Sequence, residues 1–76
     1  MISRYTAIAI YNRDDLEITT GLDGEKYSSV LWMPIEGRAP RLLLSTQPVF
    51  NSKEEARLEM QKVIDQVKSG PDPLGN

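Results

Sequence analysis

The sequence predicts an α+β domain in which an antiparallel four-stranded meander precedes one C-terminal helix, in the order β-β-β-β-α. Short segments in its first two thirds alternate apolar and polar residues, as half-buried strands do. Clusters of Asn, Asp, Gly and Pro separate these segments and favour turns. The last third carries an apolar stripe at helical spacing. At 76 residues there is room for one small domain, expected over residues 1–70, with a disordered tail at 71–76.

Four segments have the character of strands. They are residues 4–12, 16–20, 26–33 and 41–46. In the first, Ile8 and Ile10 point one way and the tyrosines and alanines point the other, because strand side chains alternate. The last is the least typical because leucine is a weak strand former, and the sheet has three strands if this segment is not one. The first two segments are expected to form a hairpin.

The helix is predicted from its start signal, its stripe and its end. Asn51 or Ser52 can cap it, each with a glutamate three residues later. Gly70 and Pro71 end it. One face carries an apolar stripe: Ala56, Met60, Val63, Ile64 and Val67.

Composition narrows the possible chemistry. The chain has no cysteine and no histidine, so it lacks the usual zinc ligands and the nucleophile–histidine arrangements of hydrolases. No glycine-rich phosphate loop occurs, and the acidic residues between positions 14 and 25 lack the spacing of a calcium loop. We therefore expect a non-enzymatic protein without a metal or cofactor. Residues 1–4 do not begin a cleavable signal peptide, no apolar run could span a bilayer, and a cytoplasmic location is expected.

An uncovered sheet face is the main candidate site, because one helix covers only one face of a sheet. If Ile8, Ile10, Val30 and Trp32 face the helix, the opposite face shows tyrosines with Leu31 and Met33. If the pairing is reversed, Trp32 is exposed. Tyr, Trp and Met are enriched in interfaces. The predicted partner-binding residues are Tyr5, Tyr11, Tyr27, Leu31 and Trp32.

A second candidate is the loop between Pro34 and Pro40, where Arg38 and the following Arg41 could bind an anion, since arginine pairs bidentately with carboxylates and phosphates. Aromatic side chains on a sheet with nearby arginines could also stack and hold single-stranded nucleic acid. The net charge of −2 weighs against this alternative.

The order of strands and then a helix that opens at Phe50 and Asn51 resembles that of small bacterial and phage regulatory domains, such as antitoxin-like and double-stranded-RNA-binding-like folds. No diagnostic motif of either is present, so no family is assigned. The expected function is a small interaction or regulatory domain that binds a second copy or a larger protein through its sheet face or edge.

Overall fold

The computed structural model describes residues 2–75. Their elements, in chain order, are α1 (Arg4–Asn12), β1 (Glu17–Asp23), β2 (Lys26–Met33), β3 (Arg41–Ser45) and α2 (Lys53–Ser69). The chain is therefore an α+β protein with a three-stranded antiparallel sheet and a helix at either end. The prediction of a first strand over residues 4–12 was wrong, because this segment forms α1. The less typical segment that begins at Arg41 is a strand.

Helix α1 begins with a side-chain cap. The Ser3 hydroxyl accepts a hydrogen bond from the Thr6 amide at 3.2 Å and donates one to the Thr6 hydroxyl at 3.0 Å. Such a cap satisfies an amide that the first turn of a helix leaves unpaired. Thr6 and Ile10 are the buried residues of α1, and their i, i+4 spacing places both on one side of the helix. The helix thus buries one narrow side, whereas a strand would have buried alternate residues.

Strands β1 and β2 form a tight hairpin, with Asp23 opposite Lys26. Two residues connect them. Gly24 has φ +67° at the first of these positions, as a type II′ turn requires. The predicted hairpin between residues 4–12 and 16–20 is therefore replaced by a hairpin between β1 and β2.

Strand β3 lies on the other side of β2, so the strand order is β1-β2-β3. Its register shifts at a bulge, because Leu44 pairs with Leu31 whereas Leu42 pairs with Trp32. Beyond β3, Phe50 continues the pairing through a two-bond bridge to Tyr27. The central strand β2 is consequently paired along both of its sides.

Helix α2 uses the predicted signals. Ser52 is its N-cap and accepts a hydrogen bond from the Glu55 amide at 3.1 Å, while Gly70 is its C-cap. The Glu55 carboxylate accepts a hydrogen bond from the Asn51 amide at 2.9 Å. Ala56, Met60 and Ile64 of the predicted stripe are buried.

Both helices pack on the same face of the sheet, and the core lies between the two layers. Leu31 and Met33 of β2 and Leu43 of β3 meet Ile10 of α1 there. Met60 and Ile64 of α2 complete the buried core. We call this helix-covered side the inner face and the opposite side the outer face.

The C-terminal segment after α2 contains a short turn. The Leu74 amide donates to the Asp72 carboxylate at 2.9 Å, and the Gly75 amide donates to the Asp72 carbonyl at 3.0 Å. Residue 76, at the end of the predicted disordered tail, and residue 1 lie outside the described residues. Within residues 2–75 neither helix combines the length and the apolar character that crossing a membrane would need.

Candidate interaction surface

The outer face of the sheet has no helix on it. Side chains of adjacent strand residues point to opposite faces, and directly opposed residues share a face. Because Leu31 and Met33 point into the core, Val30 and Trp32 point outward. The cross-strand partners then complete the central part of the outer face, which consists of Thr19, Gly21, Ser28, Val30, Trp32, Leu42 and Ser45.

The outer face carries no charge at its centre, where the apolar residues Val30, Trp32 and Leu42 lie among hydroxyl-bearing residues and a glycine. Val30 and Trp32 are half-buried, and Leu42, opposite Trp32, is 50% exposed. The Trp32 indole donates a 2.7 Å hydrogen bond to the Thr19 hydroxyl. This bond satisfies the one polar group of the indole and ties β2 to β1 across the outer face.

Charged side chains occur on the outer face only at the ends of β1 and β2, among the residues of those strands. Glu17 stands opposite Trp32 at one end. Asp23 and Lys26 stand opposite each other at the other end, and the Lys26 ammonium donates a hydrogen bond to the Asn51 side chain. Val49 is exposed next to the bridged Phe50, and alternation places it on the outer side, beside this end of the sheet.

The five predicted partner-binding residues do not share one surface. Tyr5 and Tyr11 lie on α1, because the segment that holds them is helical. Tyr27 and Leu31 lie on the inner face, and Leu31 is 0% exposed in the core. Trp32 alone of the five is on the outer face. The alternative in which Tyr5, Tyr11, Tyr27 and Leu31 share an exposed sheet face is wrong, because two of them are on α1 and Leu31 is buried; partner binding by the exposed residues stays a prediction.

Of the two alternatives for the exposed face, the one that exposes Trp32 agrees with the structure. The sequence alone offered no reason to prefer it. The outer-face residues that the predicted set left out include Thr19, Val30 and Leu42. A hairpin between residues 16–20 and 26–33 would have revealed Thr19 and Val30, since Glu17 opposite Trp32 puts the polar positions of β1 on the same side as Trp32. Leu42 is placed there by the pairing of β3 with β2.

The predicted anion loop contains a turn closed by the Arg38 amide, which donates to the Ile35 carbonyl at 3.1 Å. Arg38 is exposed. The Arg41 guanidinium carbon lies 4.9 Å from the centre of the Tyr5 ring, a cation–π distance that directs Arg41 toward α1. Anion binding by this pair stays a prediction.

A cluster of charged groups joins the α1–β1 connection to the rest of the fold. Arg13 forms a two-bond ion pair with Asp15, at 2.8 and 2.7 Å, and also donates to the Pro34 carbonyl at 3.0 Å. Lys68 of α2 donates to the Arg13 carbonyl at 2.7 Å and to Asp14 at 3.1 Å. The Arg13 hydrogen bond holds the pKa of Asp15 below its ordinary value, and Asp15 in turn raises the pKa of Arg13.

A cleft of about 160 Å³ lies beside this cluster, between the α1–β1 connection and α2. Its charged lining residues include Asp14 and Lys68, which are bonded to each other. A ligand in this cleft would have to compete with these internal bonds. We therefore assign the cluster a structural role, which is to hold the α1–β1 connection against α2. Within residues 2–75 there is no group of three or more acidic side chains placed to hold a metal ion.

Comparison with known proteins identifies no relative: no family model, no curated protein and no solved structure matches this chain. The functional proposal therefore depends on the surfaces described above.

Proposed function

We propose that this chain is a small, non-enzymatic interaction domain of regulatory type that associates with a second copy of itself through the outer face of its sheet. The single observation that supports the proposal is that both helices pack on the inner face, which leaves Val30, Trp32 and Leu42 without a covering layer. The absence of cysteine fits action in a reducing compartment, and we place the function in the cytoplasm.

A second copy fits this face for a chemical reason. The central residues are uncharged, so two such faces can meet without burying an unpaired charge, which would be costly. A two-fold axis would place apolar residues against apolar residues, as an isologous interface requires. The product is a four-layer assembly in which two sheets pack at about 10 Å between helical layers.

The area of the outer face indicates how tightly the proposed dimer should associate. Three strands spaced about 4.8 Å apart and a strand length of about 20 Å give a footprint of roughly 300 Å². A standard interface buries about 800 Å² per partner. The dimer is therefore expected to be weak and to dissociate on dilution, which suits a regulatory contact better than a permanent one.

Fluorescence offers a direct test, because Trp32 is the only tryptophan of the chain and lies in the proposed interface. Its emission should shift to shorter wavelength as the protein concentration rises, since association removes water from the indole. An emission maximum that is independent of concentration, in samples whose mass shows association, would place the contact elsewhere.

A matched pair of variants locates the surface. Leu42 is 50% exposed on the outer face, and Leu58 is 56% exposed on α2. Leu42→Lys puts a charge next to Trp32 on the outer face and should abolish association, whereas Leu58→Lys should leave it unchanged. Light scattering measures the mass, and circular dichroism verifies that both variants fold. Equal behaviour of the two variants would contradict the assignment.

A further inference from the structure

The sheet has two edges, and they differ in how well they are protected. Strand β3 has five residues, a bulge and prolines at positions 40 and 48 around it. Short length, bulges and prolines are devices that block strand addition. Strand β1 has seven residues without proline, and its register with β2 is continuous. The β1 edge is therefore the open one.

The free backbone groups on β1 can be identified from the hydrogen bonds of β2. Both backbone groups of Tyr27 bond to Phe50, at 2.8 and 3.1 Å, so they point away from β1. In an antiparallel pair, bonded and non-bonded residue pairs alternate. Leu22, opposite Tyr27, is thus in a non-bonded pair, and its own N–H and C=O point away from β2.

Two further residues of β1 also form non-bonded pairs with β2. The Ser29 carbonyl accepts from the Thr46 amide at 2.9 Å, and the Ser29 amide donates to the Thr46 hydroxyl at 2.9 Å. By the same alternation, the pair of Thr20 with Ser29 and the pair of Ile18 with Leu31 are non-bonded pairs. The N–H and C=O groups of Ile18, Thr20 and Leu22 therefore face outward, and outside the strand ladder no backbone hydrogen bond within residues 2–75 involves them.

We propose that the β1 edge binds an extended peptide segment that carries a basic residue near each of its ends. The segment would add a fourth strand antiparallel to β1 and exchange up to six backbone hydrogen bonds with Ile18, Thr20 and Leu22. This site is separate from the outer face, and the proposal does not rest on self-association through that face.

The charged residues of β1 determine which side chains are favoured at the two ends of the bound peptide segment. Glu17 and Asp23, at the two ends of the strand, are its charged residues, and both are acidic. Each would stand in a non-bonded pair with the incoming strand, where opposed side chains are closest. A lysine or arginine opposite each one is favourable, whereas a like charge is unfavourable.

The same charges disfavour a second copy of β1 as the occupant. In the antiparallel register that uses all six outward groups, Thr20 would pair with Thr20 of the other copy. Glu17 of each copy would then stand opposite Asp23 of the other, which creates two acid–acid contacts. The edge is thereby selective for a strand of the opposite charge.

The side chains on the inner side of the edge offer apolar contacts. Leu22 is 61% exposed, although it stands next to Tyr27, and Ile18 packs partly against the core. Apolar residues opposite Leu22 and Ile18 would cover this surface. The preferred segment alternates, with apolar residues at its second and sixth positions and basic residues at its first and seventh.

The probe is the blocked peptide Lys-Val-Thr-Val-Thr-Val-Lys, titrated into the ¹⁵N-labelled full chain. Binding should shift the amide signals of Ile18, Thr20 and Leu22 and slow their hydrogen exchange. The same peptide with three N-methylated valines lacks the donors that face β1 and should not bind. No shifts in β1 at about 1 mM peptide, the weak limit of useful affinity, or equal binding of the methylated peptide would overturn the proposal.

Two variants separate the backbone and charge contributions. Thr20→Pro removes an outward N–H that β2 does not use, a position where an edge strand tolerates proline, and it should abolish binding while the chain stays folded. Glu17→Lys should weaken binding of this peptide about two- to fivefold and strengthen binding of the variant peptide with a C-terminal glutamate by a similar factor. Unchanged preference between the two peptides would contradict the charge assignment.

A third variant distinguishes this site from the outer face. Leu42→Lys should abolish self-association and leave peptide binding intact, because Leu42 lies on β3, at the far side of the sheet from β1. If Leu42→Lys lost both self-association and peptide binding while its fold was preserved, the peptide would not bind at the β1 edge.

Discussion

Ser29 is the residue whose environment is least expected in a small core. It is 0% exposed, and within residues 2–75 its hydroxyl has no hydrogen-bond partner. A buried hydroxyl without a partner costs about 1–3 kcal/mol. Ser29→Ala removes the hydroxyl with little change in volume, so the free energy of unfolding in urea should rise by about 1 kcal/mol.

Thr46, the residue directly after β3, provides the opposite case. Its hydroxyl accepts the Ser29 amide hydrogen bond, so Thr46→Val keeps the shape but leaves a buried donor unpaired. The unfolding free energy should fall by about 1–3 kcal/mol. If Ser29→Ala destabilised the protein as much as Thr46→Val, the Ser29 hydroxyl would have to make a bond that the structure does not show.

The contribution of Asp15 to the stability of the fold depends on pH. The hydrogen bond from Arg13 lowers its pKa in the folded state, against a smaller effect of desolvation. The ionised carboxylate therefore contributes stability above the unfolded-state pKa, and that contribution is lost as pH falls through the lower folded-state pKa. Carboxyl ¹³C titration should show the Asp15 pKa below the ordinary aspartate value, and Arg13→Gln should raise it. An unchanged pKa in this variant would contradict the ion pair.

At the scale of elements, strong local signals predicted α2 and β2 well. Strand β2 has the predicted bounds, Lys26–Met33, since Gly24 and Pro34 flank an alternating segment. Helix α2 has both a cap and a stop in the sequence, and its apolar stripe has helical spacing. Each of these elements is specified by residues within it or directly beside it.

Helix α1 was predicted as a strand because its residue types favour a strand, whereas the core it packs against favours a helix. Tyr, Thr and Ile favour strands, but strand propensity depends strongly on what the side chains pack against. Here Ile10 fits against the core that α2 and the sheet form, and Ala7 and Ala9 are good helix formers. The Ser3 cap was the local signal for a helix, and alternation of apolar residues concealed it.

The cap of α1 provides a test of this element. Ser3→Ala removes the acceptor for the Thr6 amide and should lower the unfolding free energy by about 1 kcal/mol. Ser45→Ala, at an exposed position of β3, should have little effect. Equal effects of the two substitutions on urea unfolding would contradict a capped helix at this end of the chain.

For the whole molecule, the sequence predicted an uncovered face but not which face it is. Alternation fixes which side chains point together, whereas the choice of the buried side depends on contacts between distant elements. The extra helix did not remove the uncovered face, because α1 joins α2 on the inner side. It did remove Tyr5 and Tyr11 from the sheet, so the uncovered face carries Val30, Trp32 and Leu42.

Self-association through the outer face can be measured by sedimentation equilibrium of the full chain from about 10 µM to about 1 mM, a range that spans weak affinities. We expect a mass that rises from monomer toward dimer with concentration in the native chain and in Leu58→Lys, and a monomer throughout in Leu42→Lys. A native chain that stays monomeric over the whole range, or a dimer that persists in Leu42→Lys, would contradict self-association through the outer face.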